Sequence, residues 1–126
     1  MKKGKRILIV EDEPALLQVL ADKFRREGFL VFTARDGNEG LDLAYGNKPD
    51  IIVLDIVMPS MDGVTMLKKL REQKWGNAVP VLILSNLSDP EQIKETSGHG
   101  SVEYLVKSNW GLDDVLKKVI DTLGRL

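Results

Sequence analysis

The 126-residue sequence predicts an α/β fold, a doubly wound three-layer sandwich in which helices cover both faces of a parallel five-stranded sheet. Three observations predict it. Five short runs rich in Val, Ile and Leu recur along the chain, mostly without polar alternation, which is the pattern of strands buried on both faces. The segments between them carry apolar residues at helical period. Cap and turn residues fall at the joins, so the chain reads as βα five times over. Right-handed crossovers then place helices on either side of the sheet.

The first strand is "RILIV" (6–10). It gives way at once to "EDEP", with Pro14 in the first turn of the first helix. Leu16, Leu20 and Phe24 make that helix's stripe, and Gly28 stands where a left-handed cap would end it. The second strand is "LVFTA" (30–34). "DGNE" (36–39) then places Asp36 three residues before Glu39, a capping box with Asp in the Ser/Thr role. Gly46 is expected to close the second helix in a left-handed conformation.

"DIIVLD" (50–55) is the third strand, and Val64, Leu67 and Leu70 mark the third helix, with Trp75 closing its end. "VPVLILS" (79–85) is the fourth strand. In "SDPE" (88–91), Ser88 is the cap, Pro90 sits in the first turn and Glu91 follows three on. The fourth helix that they open, within 89–100, has one clear apolar anchor, Ile93. Little burial implies low local stability there. "VEYLVK" (102–107) is the fifth strand. The last helix carries Leu112, Val115, Leu116, Val119, Ile120 and Leu123. No linker or low-complexity tract interrupts this order, so one domain over residues 1–126 is expected, with no output module.

Composition narrows the function. There are 18 basic and 19 acidic residues, a formal net charge of −1, so nothing suggests direct nucleic-acid binding, which usually needs a basic excess. The absence of Cys excludes disulfides and thiolate metal sites. No run is long enough for a signal peptide or a membrane span. A cytoplasmic location away from membranes is the expectation.

Asp55 ends a strand that is otherwise wholly apolar. Burying a carboxylate costs several kcal/mol or more unless something compensates. In an open parallel sheet, ligands bind beyond the carboxyl ends of the strands, where the strand order reverses. The residues at those exits are Glu11 and Asp12, Asp55, Ser85 and Lys107; the second strand, ending in "TARDG", supplies no matching group. If the order is 2-1-3-4-5, the acidic pair faces Asp55, with Ser85 and Lys107 on its other side. Two like charges 4 Å apart repel by about 4 kcal/mol at an effective dielectric of about 20. A hard divalent cation such as Mg²⁺ resolves that, and Lys107 offsets part of the remaining charge. Asp55 beside a cation and an ammonium is an activated carboxylate nucleophile. The cation and Lys107 would stabilise the equatorial oxygens of a phosphoryl group in transit, and the Ser85 hydroxyl can donate to one of them. The product is an aspartyl phosphate. The plainer alternatives are that Glu11 and Asp12 only cap a helix, that Asp55 and Lys107 form a structural ion pair, and that Tyr104 is an edge-packed aromatic. His99, between two glycines, reads as an exposed loop residue.

"VEDEP" (10–14), "LDIVMPSMDG" (54–63), "ILS" (83–85) and "YLVK" (104–107) together resemble the receiver domain of two-component response regulators, similar to the single-domain chemotaxis type, over the whole chain. The resemblance implies a flavodoxin-like sheet of order 2-1-3-4-5. It implies that Asp55 accepts a phosphoryl group from a sensor histidine kinase, a phosphotransfer protein or a small phosphodonor. Asp12, Asp55 and the backbone carbonyl of Val57 would ligate Mg²⁺ or Mn²⁺, with Glu11 acting directly or through water. Lys107 would pair with the phosphoryl group, Ser85 would move to bond it, and Tyr104 would turn inward as Ser85 withdraws. Pro59 and Gly63 would shape the loop after Asp55. Such a protein is not an enzyme on a separate substrate; it promotes its own phosphorylation and dephosphorylation. Its output would be a surface of the fourth helix, fifth strand and fifth helix that binds a downstream protein target. Dimerisation through the fourth and fifth helices stays open.

Some residues depart from the family's pattern. Ser108 stands where receivers usually carry Pro, and a trans bond is expected there because a cis one costs about 2.5–4 kcal/mol. Asn86 replaces a smaller residue. Val57 and Leu87 are both apolar, which implies restricted water entry and a long-lived phosphoaspartate. The alternative reading is a degenerate pseudo-receiver, an interaction module that works without phosphorylation. An aspartyl-nucleophile phosphatase would need a second Asp where Val57 stands, and no glycine-rich phosphate loop supports a nucleotide- or flavin-binding protein.

Overall fold

The computed structural model describes residues 4–55, 63–76, 78–85, 102–106 and 111–124. Its elements are β1 (Arg6–Val10), α1 (Pro14–Arg26), β2 (Leu30–Ala34), α2 (Gly37–Asn47), β3 (Ile51–Asp55), α3 (Gly63–Arg71), β4 (Val81–Ser85), β5 (Val102–Val106) and a C-terminal helix, Leu112–Gly124. The strands form one parallel sheet of order β2-β1-β3-β4-β5. The expected fourth helix, with Ser88, Pro90, Glu91 and Ile93, lies outside the described residues, as does His99.

Alternation along the central strands splits the core into two layers. Ile7 and Ile9, Ile51 and Val53, and Leu82 and Leu84 pack with Leu17, Leu20 and Phe24 of α1 and with Val115, Val119 and Leu123 of the C-terminal helix. Leu8 and Val10, Ile52 and Leu54, and Val81 and Ile83 pack with Leu41 and Ala44 of α2 and with Val64, Leu67 and Leu70 of α3. Both faces of β1, β3 and β4 are covered, so their sequences show no polar alternation. β2 differs from expectation. Its run is as apolar as the others, yet Leu30 is 51% exposed and Val31, Phe32 and Thr33 are half-buried, because β2 is an edge strand of the sheet. On α1, Leu17 is buried while Leu16 is half-buried beside the same layer.

Helix ends follow local chemistry. After α1, Gly28 takes φ +95°, its N–H donates to the Arg25 carbonyl, and the Phe29 N–H donates to the Phe24 carbonyl, both at 3.1 Å. This is the Schellman pattern, completed by an edge-to-face contact of Phe24 and Phe29 at 5.2 Å. At α2, the Asp36 carboxylate accepts from the Glu39 N–H at 2.9 Å, as expected, while Glu39 Oε1 reaches the amide of Arg35, one residue before the cap.

The other end of α2 corrects the sequence reading. Gly46 lies inside the helix, and the left-handed residue is Lys48, at φ +47°. Pro49 explains the shift, since a following proline disfavours the right-handed helical region. The Lys48 N–H donates to the Ala44 carbonyl at 2.8 Å, and the Arg6 guanidinium donates to the Asn47 carbonyl at 2.9 Å. Arg6 also sets register. Its N–H donates to Asp50 Oδ2, and the Asp50 N–H donates to its carbonyl, both at 2.8 Å.

Between α3 and β4, Arg71 is half-buried and donates to the carbonyls of Gly76 and Val79. Burial lowers its pKa from the usual guanidinium value. A Cβ on Gly76 would meet the Leu70 carbonyl oxygen at 2.3 Å, so no larger residue fits this turn. Trp75 packs on the α2–α3 layer and meets Tyr45 edge-on at 6.5 Å. The C-terminal helix is tied to α1 by Lys23 and Asp113 at 2.8 Å and to β5 by Lys118 and Glu103 at 3.2 Å.

Two outcomes follow. Lys48→Gly removes a strained backbone position, and chemical denaturation is expected to show a gain of about 0.5–1 kcal/mol. Lys23 holds the Asp113 carboxyl below the ordinary 3.8, first by its hydrogen bond and then by its charge. A depressed carboxylate pKa stabilises above the unfolded value and fades as pH falls through the folded one. Asp113→Asn is therefore expected to lower Tm at neutral pH, with the gap to the parent narrowing below pH 3.8.

Candidate functional site

The register of the sheet builds the site. β1 pairs with β3 from Ile7 opposite Ile51 to Val10 opposite Leu54. One residue further along each strand stand Glu11 and Asp55. The Glu11 N–H donates to the Ala34 carbonyl at 3.0 Å, so the ladder toward β2 continues past Val10. Glu11 is 1% exposed and Asp55 4% exposed, while Asp12 is open to solvent. Carboxylate oxygens of Glu11, Asp12 and Asp55 lie within 4.8 Å of one another. Asp55 is also in register with Leu84 of β4. The next residue, Ser85, pairs with Val106, which precedes Lys107.

The plainer alternative for Glu11 and Asp12 is a helix cap. The structure gives the N-cap of α1 to Glu13, in extended backbone with no side-chain cap bond, and Pro14 opens the helix. Pro14 is the signal that marks Glu13, because proline favours the first helical position. Glu11 Oε2 accepts the Glu13 N–H at 3.1 Å, which holds this carboxylate over the strand ends. The helix begins two residues after Asp12, so its positive end faces the acidic group.

Of the other expected site residues, Tyr104 is half-buried on β5, in register with Ile83 and packed against the α2–α3 layer. Ser85 is placed as the last residue of β4. Lys107 and Val57 lie outside the described residues, as do Pro59, Asn86, Leu87 and Ser108. Gly63 begins α3.

Two buried carboxylates and one exposed carboxylate at this spacing repel each other. A hard cation fits the set, because every donor is oxygen, two are desolvated and one faces the solvent from which the ion would enter. Glu11, Asp12 and Asp55 are the residues that would hold it. Among the described residues no other group of three acidic or histidine side chains converges in this way.

The family described as response regulator receiver domain matches residues 7–120 of this chain. The chain is similar to the alkaline phosphatase synthesis transcriptional regulatory protein PhoP of Bacillus subtilis, at 38% identity over 106 residues, 82% of this chain and 42% of that protein. It spans about half, or less, of the length of the curated relatives it matches. Among solved structures, the receiver domain of the Francisella response regulator 1452 superposes with a TM-score of 0.84 at 35% identity, covering 97% of this chain and 98% of that one. The receiver domain of the sensor histidine kinase PA1611 of Pseudomonas aeruginosa superposes with a TM-score of 0.85 at 26% identity, covering 96% and 98%; that structure has a magnesium ion coordinated in its active-site cleft.

The carboxylate geometry sets an expected outcome for metal titration. Mg²⁺ or Mn²⁺ should raise Tm progressively with concentration, by linkage to the folded state. Asp12→Asn and Asp55→Asn should each be more stable than the parent in EDTA, by about 1–3 kcal/mol, as one repelling charge is removed. Both variants should show a much weaker metal response. Scanning calorimetry in EDTA and in graded metal checks both parts.

Proposed function

This chain belongs to the response regulator receiver domain family of two-component systems, and we propose that it acts as the phosphoacceptor of such a system, with Asp55 as the accepting residue. The observation that carries the reading is the convergence of the Glu11, Asp12 and Asp55 carboxylates at the exits of β1 and β3, with Asp55 itself buried. A bound Mg²⁺ or Mn²⁺ would neutralise part of that charge and polarise the incoming phosphoryl oxygens.

The chemistry of the chain's own residues is then direct. A carboxylate oxygen of Asp55 attacks the phosphorus of a phosphohistidine on a kinase or phosphotransfer protein. An O–P bond forms as the P–N bond breaks, and the released imidazole takes a proton from solvent. The burial of Asp55 keeps bulk water from competing for the phosphoryl group. Lys107, directly after β5, pairs with the transferred phosphoryl oxygens, and Ser85 donates a hydrogen bond to one of them. Tyr104 then packs further inward as Ser85 moves. The altered surface of the fourth helix, β5 and the C-terminal helix binds a downstream protein. The protein acts on itself rather than on a separate substrate, promoting its own phosphorylation and hydrolysis, and it works in the cytoplasm. No helix among the described residues is long and apolar enough to cross a membrane.

Incubation with acetyl phosphate and Mg²⁺ tests this reading. Intact-mass analysis should show one added phosphoryl group, absent in EDTA and absent in Asp55→Asn. Beryllofluoride should protect the parent thermally and leave Asp55→Asn unchanged. A parent that takes no label from acetyl phosphate and gains no thermal protection from beryllofluoride with Mg²⁺ would favour the phosphorylation-independent reading instead.

A further inference from the structure

The open edge of the sheet carries a second feature, remote in chemistry from the carboxylate site. β2 ends the sheet, and no other described strand pairs with its outer side. The Leu30 N–H donates inward to the Lys5 carbonyl, and the Ala34 carbonyl accepts inward from Glu11. In a strand, successive residues direct their backbone groups to opposite sides. Val31 and Thr33 therefore present their N–H and C=O groups to the outside.

Beside this edge runs a trench of about 210 Å³ between α1 and β2. Leu17 and Ala21 form its apolar floor, Thr33 lines the strand side, and Pro14 and Arg25 mark its ends along α1. At 1.5 Å per helical residue, Pro14 to Arg25 spans about 16 Å. An extended peptide covers that length in about five residues. Two guanidiniums, those of Arg25 and Arg35, line the trench, and no carboxylate does. Arg25 has only a loose pair with Asp22 at 3.6 Å, and the Arg35 guanidinium has no ion pair among the described residues.

We propose that the β2 edge and the α1–β2 trench form a docking site for an extended, acidic segment of a partner protein, which adds as a sixth strand beside β2. Main-chain hydrogen bonds to Val31 and Thr33 supply pairing, the apolar floor takes a small aliphatic side chain, and Arg25 and Arg35 engage carboxylates near the segment's two ends. A second copy of this chain fits less well, since edge-to-edge pairing would bring four guanidiniums onto one seam. The proposal does not depend on phosphorylation of Asp55.

An NMR titration of the unphosphorylated protein tests it, using an acetylated, amidated Glu-Thr-Val-Thr-Glu peptide, in which both carboxylates and the central valine share one face of the strand. Amide shifts should centre on residues 30–35, and hydrogen exchange at Val31 and Thr33 should slow. Affinity should fall as salt rises. Charge reversal of both arginines, R25E with R35E, should weaken binding at least about tenfold. The same peptide N-methylated on alternate residues, which cannot pair with the strand, should fail to bind the unmodified protein. Equal binding by the methylated peptide, shifts centred away from β2, or equal binding by the charge-reversed variant would each overturn the proposal. So would β2 shifts that depend on protein concentration alone, because they would make this edge an interface between copies.

Discussion

Everything in this molecule is arranged around a repulsion. Three carboxylates share a space less than 5 Å across at one end of the sheet, and two of them are shielded from water. The chain holds them there by register. Arg6 and Asp50 clamp the opposite ends of β1 and β3 with a pair of 2.8 Å hydrogen bonds. From that clamp the pairing runs without a bulge through four matched residues, so the next residue on each strand is acidic. Slipping one strand by a single residue would turn Asp55 to the opposite layer and bury apolar side chains on the wrong faces. The two core layers oppose such a slip, and each fully buried Ile, Leu or Val contributes on the order of 1.5–3 kcal/mol. The hydrophobic sandwich thus makes the unfavourable charge cluster sustainable.

Much of this was legible in the sequence because it rests on local signals. The limits of β1 and β2 match their apolar runs, and Gly28 and Asp36 do at their helix ends what their chemistry suggests. The convergence of Glu11, Asp12 and Asp55 could be read from strand exits, since a charge in a strand covered on both faces has nowhere else to stand. The misreadings have a common cause. An edge strand and a central strand can share one composition, so the exposure of Leu30 and its neighbours depends on sheet order, which periodicity does not encode. Gly46 looked like a helix stop, but the stop is imposed by Pro49 acting on Lys48, and the Arg6 guanidinium, distant in sequence, holds the last helical carbonyl. The role of Arg71, folding back onto the carbonyls of Gly76 and Val79, likewise needs the turn's three-dimensional path. Lys107 and Val57 lie outside the described residues.

Helix α1 connects features that look separate. Its first turn follows the acidic residues, its buried stripe packs under β1 and β3, and its flank through Pro14, Leu17, Ala21 and Arg25 walls the trench along β2. Lys23 then links it to the first turn of the C-terminal helix. That ion pair is exposed on the Asp113 side and is screened by solvent. Val115, Val119 and Leu123 are buried in the same layer as Leu17, Leu20 and Phe24. The apolar contacts therefore set both the position and the rotation of the C-terminal helix against the sheet, and the ion pairs with Lys23 and Glu103 add little. Packed layers of this kind resist small continuous deformation. A change of charge at the strand exits consequently acts first on side chains and connections at that end of the sheet, such as Glu11 against the Glu13 amide, before it can shift a helix lying over the core.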